Sequence, residues 1–140
     1  MVDSFHALIQ TASFFAKAGR PRATGVAVLG SSGGNLVLAV DEAEAHGVPL
    51  PQPAPATVAA LSGVLPPFSS ARNPCDITGG GSMAGRDFMA EAAACLFDDP
   101  QYGAVLYPWG YVSPQRGRIA QSLAELAQAR GKAAVVVWTP

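Results

Sequence analysis

The sequence predicts an α/β fold: a doubly wound parallel sheet between two layers of helices. Three observations carry this. The runs Gly25–Gly30, Tyr102–Tyr107 and Ala133–Trp138 are almost wholly apolar and too short for helices, as expected of strands buried on both faces. Stretches with helical apolar spacing separate them, so strand and helix alternate along the chain. The chain has 140 residues, 49% of them hydrophobic and 14% charged, enough to bury one core without disulfide staples.

The first element is an amphipathic helix. Phe5, Leu8, Ile9, Ala12, Phe15 and Ala16 recur at helical spacing, with Asp3 and Ser4 as N-cap candidates and Gly19 as terminator. The pattern predicts one buried stripe. Residues 1–20 are expected to be an entry helix from a preceding domain and residues 21–140 the α/β unit, with GRPRAT as turn or linker.

Strand Gly25–Gly30 runs into the turn GSSGGN and then a helix, with Leu36, Val37, Val40 and Ala43 on one face and Gly47 at its end. Val48 to Gln52 carries two prolines, so it is an edge strand or an extended connection. Pro55 suits the first turn of a short helix through Thr57, Val58, Leu61 and Val64.

The stretch LPPFSSARNPCDITGGGSMAG reads as a long loop, and loops of that length in a compact domain usually serve a function. A helix follows from Gly85 to Asp98, burying Phe88, Met89, Ala92, Cys95 and Leu96. After the strand from Tyr102, Ser113 and Pro114 open another helix, which buries Ile119, Leu123, Leu126 and Ala127 and ends at Arg130-Gly131. About four strands are visible. The last is a buried strand with no covering helix after it, so the unit reads as truncated or as a fragment.

Composition excludes several functions. A formal net charge of −1 with nine scattered basic residues leaves no electrostatic footprint for nucleic acid or an anionic membrane. The start MVDSFHALIQ has no basic region of a signal peptide, and no apolar run approaches the ~18 residues of a membrane span. Cys75 and Cys95 form no metal-binding spacing and read as reduced thiols, so a cytoplasmic location is expected.

The turn Ser31–Asn35 admits two readings. At the carboxyl end of a parallel strand, its free N–H groups and the helix dipole favour an anion; equally, it is a tight corner built from glycine. GSSGGN has neither the GxGxxG spacing of a dinucleotide site nor that of a phosphate loop. Serine-hydrolase chemistry lacks a partner, since the only histidines are His6 on the entry helix and His46 beside Gly47, where it complements the helix dipole. Cys75 has no nearby histidine to activate it and reads as a small buried residue. Asn73-Pro74 makes a rigid corner, while Asp76 and Thr78 either hold local turns or contact a ligand or partner loop.

Taken in order, GVAVLGSSGGNLVLAVDEAEAHGVPL, LSGVLPPFSSARNPCDITG, a helix ending in FDDP, a strand and KAAVVVWTP resemble the nucleoside-diphosphate-forming acyl-CoA synthetases. That family includes ADP-forming acetyl-CoA synthetase and relatives of succinyl-CoA ligase. The resemblance runs from about Gly25 to Trp138; Lys132-Ala133 departs from the family's Lys-Pro, and the segments that follow that strand in the family are absent.

The resemblance implies a flavodoxin-like, three-layer α/β/α fold and the second of two CoA-ligase subdomains. The family reaction converts acyl-CoA, ADP and phosphate to acid, CoA and ATP, or the reverse, through a phosphohistidine on another domain. Ser31, Ser32, Gly33, Gly34 and Asn35 match the glycine turn whose helix faces that phosphohistidine; Asn73, Asp76 and Thr78 match the family's loop. No catalytic residue and no metal ligand is carried over to this chain. The implied partners are CoA-binding, phosphohistidine and ATP-grasp domains, with a homodimer as a further possibility. The parent enzyme would use CoA, ATP/ADP and Mg, none bound by this domain alone. The rival reading is a non-catalytic flavodoxin-like binding or oligomerisation module.

Overall fold

The structure is a computed structural model that describes residues 2–18, 20–77, 86–110 and 116–138. Its elements are α1 (Phe5–Ala18), β1 (Gly25–Gly30), α2 (Gly33–Ala45), α3 (Pro55–Val64), β2 (Cys75–Asp76), α4 (Phe88–Asp98), β3 (Tyr102–Trp109), α5 (Arg116–Arg130) and β4 (Ala133–Trp138). The four strands form one parallel sheet in the order β2-β1-β3-β4: the alternating pattern predicts the parallel sheet, and the flavodoxin-like arrangement is the one that the family resemblance implies.

The two faces of the sheet are covered unequally. Ala27 and Leu29 of β1, with Val105, Tyr107 and Trp109 of β3, point into a core closed by Leu61 of α3, Met89, Leu96 and Phe97 of α4, and Leu123 and Ala127 of α5. On the other face α2 packs against β1 and β3. Leu36 and Ala43 are its buried residues; Val37, expected inward, is exposed, because α2 turns only a narrow stripe to the sheet. Gly47, at φ 64°, ends α2 in the left-handed region that glycine enters without steric cost.

The fourth strand is not Val48–Gln52. That segment is an extended connection, since Pro49 and Pro51 lack the N–H groups a ladder needs, although the Pro49 carbonyl does accept from Val26 N–H at 3.0 Å. Instead, Cys75–Asp76, inside the stretch read as loop, pairs with Leu29 and Gly30 of β1.

Below that pairing a side chain continues the edge of β1. Asn73 Oδ1 accepts from Val28 N–H at 2.9 Å, and its Nδ2 donates to the carbonyls of Val26 and Pro51 at 2.8 and 3.0 Å. The Asn73-Pro74 bond is cis.

The acidic pair before β3 also has a structural role. Asp99 is buried, with Oδ2 accepting from Ala54 N–H at the start of α3 (2.8 Å) and Oδ1 from Gln101 N–H (2.9 Å). Lys132 Nζ donates to the Asp99 carbonyl, tying the start of β4 to the same corner. Helix α4 begins at Phe88, capped by the Asp87 side chain on Ala90 N–H at 3.1 Å; Gly85, where the pattern placed its start, lies outside the described residues. The same holds for Ser113 and Pro114 before α5.

The buried stripe expected on α1 is absent. Phe5, Leu8, Ile9, Ala12, Phe15 and Ala16 are all exposed, Phe5 at 77% and Phe15 at 62%. Helical spacing identifies an apolar face but not what covers it, and none of the described helix's residues is buried.

Candidate functional site

The order of the strands reverses between β1 and β3, and in open parallel sheets the crevice beyond the carboxyl ends at that switch point is where ligands bind. A cleft of about 130 Å³ lies there, lined by Ser31, Ser32 and Asn35 after β1 and by Tyr107, Pro108, Trp109 and Gly110 at the end of β3.

One wall of the cleft is the N-terminus of α2. Ser32 occupies the N-cap in extended conformation (φ −132°, ψ 111°), and its side chain makes no cap hydrogen bond. The first intrahelical bond is Leu36 N–H to the Ser32 carbonyl at 3.0 Å, so the N–H groups of Gly33, Gly34 and Asn35 precede the ladder. No acidic residue stands in the first turn. Such an end combines free donors with the positive pole of the helix dipole.

The other wall comes close because of a glycine. A Cβ on Gly110 would overlap Asn35 Nδ2 and lie 3.1 Å from its Cγ, so the bare backbone of Gly110 is what lets the Asn35 carboxamide sit across the cleft. Tyr107 and Trp109 turn their rings into the core, where they meet edge to face with centroids 5.6 Å apart, bracing this end of β3.

The loop residues expected near a ligand are separated by the fold. Asp76, at the end of β2, places Oδ2 3.6 Å from where a Gly33 Cβ would stand, so a carboxylate borders the α2 N-terminus. Asn73 is buried, and its carboxamide is engaged with the backbone of Val26, Val28 and Pro51. Thr78 lies outside the described residues.

Cys75, in β2, belongs to the buried core and has no exposed surface. Burial, reinforced by the charges of Asp76 and Cys95, pushes its thiol up to about 12, far from thiolate chemistry near neutrality. His46 sits at the far end of α2, its Nδ1 3.0 Å from the Glu42 carbonyl, roughly 20 Å of helix from the cleft, and His6 belongs to α1. Among the described residues no group of three or more His, Cys, Asp or Glu could hold a metal ion. None of their helices is long and apolar enough to cross a membrane.

Four lining residues escaped the sequence reading: Tyr107, Pro108, Trp109 and Gly110. The available signal was the Pro-Trp-Gly run directly after an apolar strand, but only the neighbouring of β1 and β3 gives it meaning.

The fold has solved counterparts. PH0766 from Pyrococcus horikoshii OT3 superimposes with a TM-score of 0.79 at 23% identity, over 99% of this chain and 32% of that one. The dinucleotide forming acetyl-coenzyme A synthetase 1 of Ca. Korarchaeum cryptofilum superimposes in its apo form with a TM-score of 0.71 at 24% identity (99% of this chain, 30% of that one). Its complex with phosphate and ADP gives 0.71 at 22% identity, covering 99% and 29%. This chain therefore spans about a third of the length of those proteins. No curated protein matches it significantly. The sequence profile of the Ligase-CoA domain matches residues 26–138, from the second residue of β1 to the end of β4, and the chain belongs to that family.

Proposed function

We propose that this chain is the second flavodoxin-like CoA-ligase subdomain of a nucleoside-diphosphate-forming acyl-CoA synthetase. Its part in the reaction is to present the α2 N-terminus to a phosphoryl group carried by a histidine of another domain. The observation that carries the reading is the uncapped start of α2, with Ser31, Ser32 and Asn35, facing Gly110 across the switch-point cleft. Family membership and the acetyl-coenzyme A synthetase folds support it.

The chemistry assigned to this chain is electrostatic. A phosphoryl group moving between an acyl phosphate and a nucleoside diphosphate keeps its negative charge throughout. The N–H groups of Gly33, Gly34 and Asn35 are preorganised to receive that charge. Neither His46 nor His6 reaches the cleft, so the phosphate-carrying histidine belongs to a partner domain. CoA, the nucleotide and Mg would be held by the CoA-binding and ATP-grasp domains of the whole enzyme.

The test is a titration of the isotope-labelled chain with inorganic phosphate, followed by backbone amide NMR. Shifts concentrated at Gly33, Gly34 and Asn35 support the reading; a uniform or absent response contradicts it. The isolated chain should form no acyl-CoA from acid, CoA and ATP.

The rival reading, a flavodoxin-like oligomerisation module, is favoured by one separate observation, the apolar surface beside α2.

A further inference from the structure

The two sides of α1 are unlike. Of its half-buried residues, Ala7, Thr11, Phe14 and Ala18 recur at helical spacing and share one side of the helix. The other side carries the stripe Phe5, Leu8, Ile9, Ala12, Phe15 and Ala16, all exposed. Its large members are open to solvent, Phe5 at 77%, Leu8 at 49%, Ile9 at 52% and Phe15 at 62%. A helix of 14 residues is marginal in water unless its apolar face is packed, so the stripe calls for a second body.

The neighbours in fold show that such a body exists beside this helix. The superposition on PH0766 takes in 99% of this chain, so it includes α1, although the Ligase-CoA profile begins only at residue 26. Both acetyl-coenzyme A synthetase structures include it in the same way. The helix is thus part of a fold shared with proteins about three times as long, most of whose chain lies outside the match.

We propose that the stripe of α1 is the docking surface for the domain that precedes this unit in the same polypeptide, with α1 lying between the two. The inference rests on the reading of the chain as one subdomain of a larger enzyme. The preceding domain is the occupant because α1 is the first element here, and segments consecutive in sequence usually neighbour each other in space. The stripe also specifies the chemistry of the partner. It contains aromatic and aliphatic side chains and no charge, so the face that covers it is apolar and the contact is made by packing, not by ion pairs.

Hydrogen exchange read by mass spectrometry tests this, on the 140-residue chain and on the full-length polypeptide that carries the preceding domain. The α1 amides should exchange about 100-fold more slowly in the longer polypeptide, with β1 and β3 protected in both. Ile9→Glu in the longer polypeptide should return α1 to the fast rate, while protection of β1 and β3 reports that the fold is kept. Ile9→Ala, which adds no charge, should speed α1 alone and to a smaller degree. Protection of α1 in the 140-residue chain, through its own sheet or a second copy, overturns the proposal. Equal α1 exchange in the two polypeptides overturns it as well, and so does protection that survives both substitutions. The phosphate response of Gly33 and Gly34 in the 140-residue chain needs no other domain, so the ligase reading stands or falls separately.

Discussion

The Asn73 carboxamide takes the Val28 N–H at 2.9 Å and gives a hydrogen to the Val26 carbonyl at 2.8 Å, completing the edge of β1 where no strand reaches it. β2 covers only Leu29 and Gly30, so without Asn73 the Val28 N–H and the Val26 carbonyl would lose these partners, while Val26 N–H would keep the Pro49 carbonyl. Replacing Asn73 with Ala should therefore cost about 2 to 4 kcal/mol in urea unfolding, the scale for stranding buried backbone groups. Asn73→Asp keeps the shape but turns a donor into an acceptor facing two carbonyls, and should be no better.

Asp99 predicts how stability responds to acid. Burial alone would raise its pKa, but the N–H groups of Gln101 and Ala54 and the side chains of Thr57 and Gln101 outweigh it, holding the carboxyl below its usual range. The unfolded chain titrates at about 3.9. The stabilisation is then complete above that value and is lost as the pH falls through the lower, folded value. Asp99→Asn should weaken the chain at neutral pH by about 1 to 3 kcal/mol and flatten the loss seen on acidification, as read from urea midpoints across that window.

The thiols should separate by accessibility. Cys75 is fully buried with its pKa pushed up to about 12, whereas Cys95 is half-buried and raised mainly by burial. Iodoacetamide at about pH 8 should modify Cys95 first, and Cys75 only as the sheet opens. Mass spectrometry with and without denaturant reads the difference; equal native rates would contradict the packing around Cys75.

The cleft makes two predictions of opposite sign. Gly110→Ala drives a methyl into the Asn35 carboxamide, so the Asn35 side-chain amide signals should move and the phosphate response at Asn35 should weaken. Asp76→Asn removes a negative charge beside Gly33 and should tighten inorganic phosphate binding a few-fold, measured in the same titration. Weaker binding in the Asp76 variant would mean that the carboxylate helps hold the ligand.

Local order was legible in the sequence because it depends on neighbours along the chain. Gly25–Gly30, Pro55–Val64 and Ala133–Trp138 fold with the predicted bounds, since apolar runs, an N-terminal proline and flanking glycines act within a few residues. The Ser31–Asn35 turn was singled out for the same reason. β2 was hidden because a two-residue strand has no period to detect, and its pairing with Leu29 and Gly30 spans more than forty residues of sequence.

The sequence by itself determined the class of fold, the strand-turn-helix unit at Gly25–Ala45 and the apolar face of α1. Only the tertiary structure decided that β1 and β3 are neighbours, which brings Gly110 to Asn35 and makes a cleft of the turn. It also decided that the α1 stripe faces outward and that Asn73 stands in for a strand. The physical reason is common to all three. A residue's intrinsic preference concerns its own backbone and the polarity of its surroundings, whereas its partner is chosen by long-range packing and by where unpaired backbone groups remain to be satisfied.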